Sequence, residues 1–249
     1  MLRTSPGTFP TTSRCTRSRR GADPGTTPLR TVEEIADSYI AALRTVQPHG
    51  PYAIGGWSFG GFVAFEIARR LRAAGEDVTR LVLLDTTALT QGQRHLHNDD
   101  ALLGWFFWEL LWLERGGDSP MERVPDELTS LEEKFDFIAR IATEEGVLPA
   151  GSSGAVIRRL FHVYRANWHA TLNYRPEAGN QGLTLVRADE PLPDVLAAMH
   201  GAAGSRHEDP TNGWSDMTDG PSRSSACPAT TSRSWKNRTC NTWPGRSRT

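Results

Sequence analysis

Apolar residues recur at three- and four-residue spacing from Val32 to Leu43, through Ile35, Ala36, Tyr39 and Ile40. That is the period of a helix with one buried face. Thr31-Val-Glu-Glu34 stands at its start as a capping box, and the pattern predicts a helix ending near Thr45. Gln47-Pro-His-Gly-Pro51 breaks it. An apolar strand follows Pro51, and then Phe62, Phe65, Ile67, Ala68 and Leu71 predict a largely buried helix that Gly75 stops. Val78 to Leu84 is a short apolar run of the kind covered on both faces of a parallel sheet, and it ends on Asp85. Strand, helix and strand within about 35 residues make one βαβ unit and place the chain in the α/β class.

Residues 99 to 174 have a different rhythm, with helical stretches following one another and no strand between them. Asp99 to Glu114 carries Trp105, Phe106, Phe107, Trp108 and Trp112; Leu128 to Glu144 and Gly154 to Leu172 are amphipathic. A helical insertion of this kind reads either as a lid whose aromatics line an acyl or peptide channel, or as a packed helical hairpin. Sheet pattern resumes at Gly182 to Ala188, Pro191 to His200 reads as a helix, and Asp209-Pro-Thr-Asn-Gly-Trp214 is a turn-rich loop. Before Thr31 and after Pro221 the periodicity stops, and both ends are rich in Arg, Ser, Thr and Pro.

Composition narrows the partners. With 28 Lys and Arg against 29 Asp and Glu in 249 residues, the net charge of -1 makes no case for nucleic acid or an anionic membrane. No signal peptide pattern opens the sequence, and the longest apolar stretch, Ala101 to Leu113, is interrupted by Glu109 and too short to span a bilayer, so the expected location is cytoplasmic. The three cysteines, Cys15, Cys227 and Cys240, have neither metal-ligand nor scaffold spacing, and no metal or cofactor site is expected.

The chemistry concentrates between Pro51 and Asp85. Gly56-Trp57-Ser58-Phe59-Gly60 joins a strand to a helix, the context in which a strained turn lifts a serine hydroxyl out of a sheet. Ser58 is the candidate nucleophile, Gly56 and Gly60 are the small residues such a turn calls for, and the backbone N–H of Phe59 is the candidate oxyanion donor. A serine hydroxyl needs a histidine to take its proton and a carboxylate to orient that histidine. Asp85, at the carboxyl end of the next strand, is the candidate acid.

These residues, with Leu-Val-Leu-Leu-Asp85, Tyr164-Arg-Ala-Asn167, Tyr174-Arg-Pro176, Leu183 to Ala188 and Asp209 to Trp214, resemble the thioesterase domains of nonribosomal peptide synthetases and polyketide synthases over about residues 22 to 221. The resemblance implies an α/β-hydrolase-like, mostly parallel sheet with a helical lid over about residues 99 to 174. It implies that Ser58 takes an acyl or peptidyl chain from the phosphopantetheine of a carrier protein, with Asp85 as triad acid and no bound cofactor. Such a domain also has early strands with a glycine loop giving a second oxyanion amide, and a last strand followed by the triad histidine. No such loop precedes Ser58 here, and of His49, His95, His97, His162, His169, His200 and His207 none follows position 207. The expected architecture is therefore a core at residues 23 to 221 lacking its first strands and its last, between disordered tails at 1 to 22 and 222 to 249.

Reading each codon one base early, with its third base free, permits PHLARHLPDDVPVYALQARG over residues 3 to 22 and VEVVRVPGDH over 222 to 231. The second string puts a strand after Pro221 and a histidine at the position of Thr231. On the sequence as it stands, weak or absent turnover is expected. A carrier-binding module without activity and a small-molecule serine esterase are the alternatives.

Overall fold

The computed structural model describes residues 29–88, 99–115, 124–175, 177, 182–188, 209–218 and 222–227. In chain order the elements are α1 (Val32–Val46), β1 (Tyr52–Trp57), α2 (Phe59–Ala73), β2 (Val78–Leu84), α3 (Asp99–Arg115), α4 (Leu131–Glu144), α5 (Gly154–Asn173), β3 (Leu183–Ala188), a 3-10 turn (Trp214–Met217) and β4 (Ser222–Cys227). The expected tail at 1 to 22, where the first strands are expected to be missing, the helix at 191 to 200, and His95, His97, His200 and His207 lie outside the described residues.

Helix starts follow their capping chemistry. Thr31 Oγ1 accepts from Glu34 N at 3.1 Å while Glu34 Oε2 accepts from Thr31 N at 3.3 Å, which satisfies two otherwise unpaired amides of α1. The pattern places a helix start at Leu128, but α4 begins at Leu131. Ser130 and Glu133 form a second reciprocal box there, with bonds of 3.2 and 3.0 Å, and Leu128 N instead closes a turn onto Pro125 O.

The four strands are parallel, in the order β1-β2-β3-β4. Trp57 lies beside Leu84, and Leu84 beside Val186, so the carboxyl ends of the first three strands open onto one rim. β4 corrects the expectation that the last strand is absent and that everything after Pro221 is tail. Leu183 to Ala188 pairs residue for residue with Ser222 to Cys227. Ser-Arg-Ser-Ser-Ala-Cys has no apolar alternation, so the strand is written in backbone pairing along the edge of β3, which side-chain pattern does not record.

Two hydrophobic cores result. The first joins the sheet to α1 and α2, with Phe65, Leu71, Leu83, Leu185 and Trp214 fully buried. The second joins α3, α4 and the first half of α5 around Leu103, Phe107, Phe135, Ile138, Ile157 and Phe161. Each such side chain contributes about 1.5–3 kcal/mol of burial free energy. Helix α5 belongs to both, with Ile157 and Phe161 in the second core and Ala170, followed by Tyr174, in the first.

Candidate functional site

Ser58 sits between β1 and α2 with φ 50° and ψ −122°, a conformation that costs a residue with a side chain about 1–3 kcal/mol. The turn is held from both sides: Ser58 N donates to Leu84 O on β2 at 3.0 Å, and Ser58 O accepts from Gly61 N at 2.9 Å. Its side chain makes no capping bond to α2 and is exposed at the rim. Phe59 opens α2, so its N–H is among those without an earlier helical carbonyl, and it stands at the positive end of the helix dipole. Trp57 is 41% exposed, one of the few large apolar side chains among the described residues that open to solvent.

The two glycines expected to serve the turn differ. A Cβ on Gly56 would lie 1.9 Å from Gly60 O, so no side chain fits, whereas a Cβ on Gly60 meets nothing within 4 Å. The second crowded position is Gly61, where a Cβ would lie 2.0 Å from Thr86 Oγ1. The GxSxG spacing does not single Gly61 out; only the doubling of glycine in Gly60-Gly61 hints at it.

Asp85 also has a positive φ, 45°. It ends β2 one register step past the strand position level with Trp57, with its N–H donating to Val186 O at 2.7 Å and its Oδ1 accepting from Ala188 N at 3.3 Å. The sheet thus brings Ser58 and Asp85 to the carboxyl ends of adjacent strands, where ligands of open α/β sheets bind.

Three histidines fall in the described residues. His49 precedes β1, at the opposite end of that strand from Ser58, with Nδ1 3.4 Å from Glu76 Oε1; His162 and His169 are exposed on α5. None of the three is joined to Asp85 by a hydrogen bond. Among the described residues, no group of three or more His, Cys, Asp and Glu could hold a metal ion, and no helix is long and apolar enough to cross a membrane.

Two carboxylates away from the rim are withdrawn from solvent to different degrees, one on α2 and one on α3. Glu66 on α2 is 1% exposed and accepts from Arg69, Arg70 and Tyr174 Oη, the last at 2.9 Å. Burial pushes its pKa up, but these donors overcome it and hold the carboxyl below its ordinary value. Glu109 on α3 is half-buried with a single side-chain donor, Tyr164, and desolvation pushes its pKa up to about 7.

The model of the thioesterase domain family matches residues 6–239. A non-reducing polyketide synthase of Aspergillus ustus is 57% identical over 54 residues, 22% of this chain and 3% of its own. A protein named inactive atromentin synthetase from Paxillus involutus is 49% identical over 69 residues, 28% of this chain and 7% of its own. The chain therefore spans only a small part of the curated relatives it matches. Among solved structures, a four-domain nonribosomal peptide synthetase bound to AMP and glycine superposes with a TM-score of 0.71 at 29% identity, covering 84% of this chain and 15% of the synthetase.

Proposed function

The chain belongs to the thioesterase domain family, and on that footing we propose that it releases an acyl or peptidyl chain from the phosphopantetheine arm of a carrier protein. Ser58 Oγ attacks the thioester carbonyl, the carrier thiol leaves, and the acyl-serine passes to water or to a nucleophile within the chain itself. Asp85 is the acid of the relay, the Phe59 N–H is one oxyanion donor, and Gly56 gives the turn its room. The helices α3 to α5, with a core of their own, are the lid over the rim. The observation that carries this reading is the exposed, positive-φ Ser58 set beside the end of the strand that bears Asp85.

Turnover is impaired in this chain. The described histidines lie at the far end of β1 or on the exposed surface of α5, and none is in place to take the Ser58 proton. With no base beside Ser58 among the described residues, hydrolysis of a p-nitrophenyl ester should run about 10⁴- to 10⁶-fold below an intact triad. Robust turnover that Ser58→Ala abolishes would overturn the impairment while upholding the nucleophile. The same missing base favours a second reading, a carrier-binding module without turnover. In that case Ser58→Ala keeps the affinity of the wild type for a holo carrier protein, and neither form reacts with a fluorophosphonate. Preference for free esters over a carrier-bound thioester would make the chain a small-molecule esterase instead.

A further inference from the structure

Thr86 follows the candidate acid, is fully buried, and bonds in three directions. Its hydroxyl lies 3.1 Å from Ser58 O and 3.2 Å from Leu84 O, sharing one hydrogen between the turn that holds the nucleophile and the strand that carries the acid. Its carbonyl accepts from Trp214 Nε1 at 2.9 Å and from Asn212 Nδ2 at 3.5 Å. Gly61 lets it approach, because any Cβ there would collide with the hydroxyl.

The segment behind Thr86 is itself fixed. Trp214 is 1% exposed and packs against Phe62 and Phe65 of α2, with ring centroids 5.6 and 4.9 Å away. Asn212 holds a positive φ of 49° and accepts Ala88 N at 2.9 Å. Asp209 ties the turn together by accepting from Thr211 N at 2.7 Å and Gly213 N at 2.5 Å, and Arg187 Nη1 donates to Asp209 O at 2.9 Å. The Asp209-to-Trp214 loop, without chemistry of its own, thus clasps the residue next to the acid onto the helix that follows the serine.

We propose that Thr86 is a positioning residue: its hydroxyl sets the Ser58 backbone against the end of β2, and Trp214 holds Thr86 in place to do so. The proposal rests on the reading of Ser58 and Asp85 as nucleophile and acid. Two strained residues on adjacent strands need a common reference, because displacement of about 1 Å at a reacting group costs as much as 10²-fold in rate. Thr86→Val keeps the shape and removes the donor. Ser58 O retains the Gly61 N–H, so the variant leaves no orphaned acceptor and folds.

The test measures fluorophosphonate labelling of Ser58 together with peptide-resolved amide hydrogen exchange in the full chain, for wild type, Thr86→Val, Thr86→Ser, Trp214→Phe and Ser58→Ala. Thr86→Val should label about tenfold more slowly or worse, Thr86→Ser should recover to within about threefold of wild type, and Trp214→Phe should fall between them. In Thr86→Val, exchange should rise at Ser58, Gly61 and Ala88 and stay unchanged in α4. A folded Thr86→Val that labels at the wild-type rate, or a Thr86→Ser no better than Thr86→Val, overturns the proposal. If wild type labels no better than Ser58→Ala, the nucleophile reading has failed. Exchange then decides the clasp: a selective rise at Ser58 and Gly61 upholds it, and a uniform rise or no change overturns it.

Discussion

Glu66, fully buried, and Glu109, half-buried, are both glutamates on helices, and each accepts from a tyrosine of the α5 segment, yet their pKa values move in opposite directions. Behind the sheet, Glu66 has two guanidinium groups in addition to Tyr174, and Arg70 passes the charge on to Asp37 of α1 at 2.6 Å. In the helical layer, Glu109 has Tyr164 alone. Desolvation is unfavourable for both carboxylates, and the number of charged donors decides which remains ionised. The first core is thus locked by a charge network, and the second carries an acid that gives up its proton near neutrality.

If the arginines are what keep Glu66 ionised, removing the carboxylate leaves Arg69 to Glu177 and Arg70 to Asp37, both exposed carboxylates, and takes away the buried partner of each. Glu66→Ala should therefore lose about 3–5 kcal/mol in urea unfolding at pH 7, the largest effect expected of any change away from the rim. A loss under about 1 kcal/mol would mean that the network contributes little.

Glu109 gives the opposite sign. Its folded-state pKa, pushed up to about 7 from the ordinary 4.5, means that the native state keeps a proton the unfolded chain releases. Stability then falls as pH rises through that window. Glu109→Gln never ionises, so it should gain about 2 kcal/mol at pH 8 and change little at pH 4. Parallel stability profiles for the two proteins between those limits would sink the assignment.

Tyr174→Phe takes one donor from Glu66 and leaves the arginines in place. A loss of about 1–2 kcal/mol is expected at pH 7. The loss should shrink as pH falls below the ordinary carboxylate range, because the lowered pKa of Glu66 contributes stability only where the unfolded carboxyl is ionised. An unfolding series at pH 3 and pH 7 measures the difference.

The pattern shows Glu109 only as a break in an apolar run and gives Glu66 no special place, because the tyrosine that each carboxylate accepts from lies far along the chain, although Arg69 and Arg70 stand within one turn of Glu66. The rim was more legible. GxSxG after an apolar strand, and Asp85 at the end of the next one, are local signals, and the two residues come to neighbouring strand ends because parallel strands end on a common edge. The capping box at Thr31 is legible for the same reason: its partners are three residues apart. Ser130 carries the same chemistry, but the apolar Leu128 before it drew the expected boundary outward. β4 and the role of Thr86 required the third dimension, one because its information is in the backbone and the other because its partners lie 28 and 128 positions away.

Helix α5 ties the two cores together. It is 20 residues long, about 30 Å, and continues at one end into Tyr174, which is bolted to Glu66 on the helix that begins at the serine. Its other end is packed into the helical layer. A swing of about 5° around that bolt carries the far turn through about 2.6 Å over this length. Any tilt of the helical layer is thus referred, through Tyr174 and Glu66, to the helix that begins at Ser58.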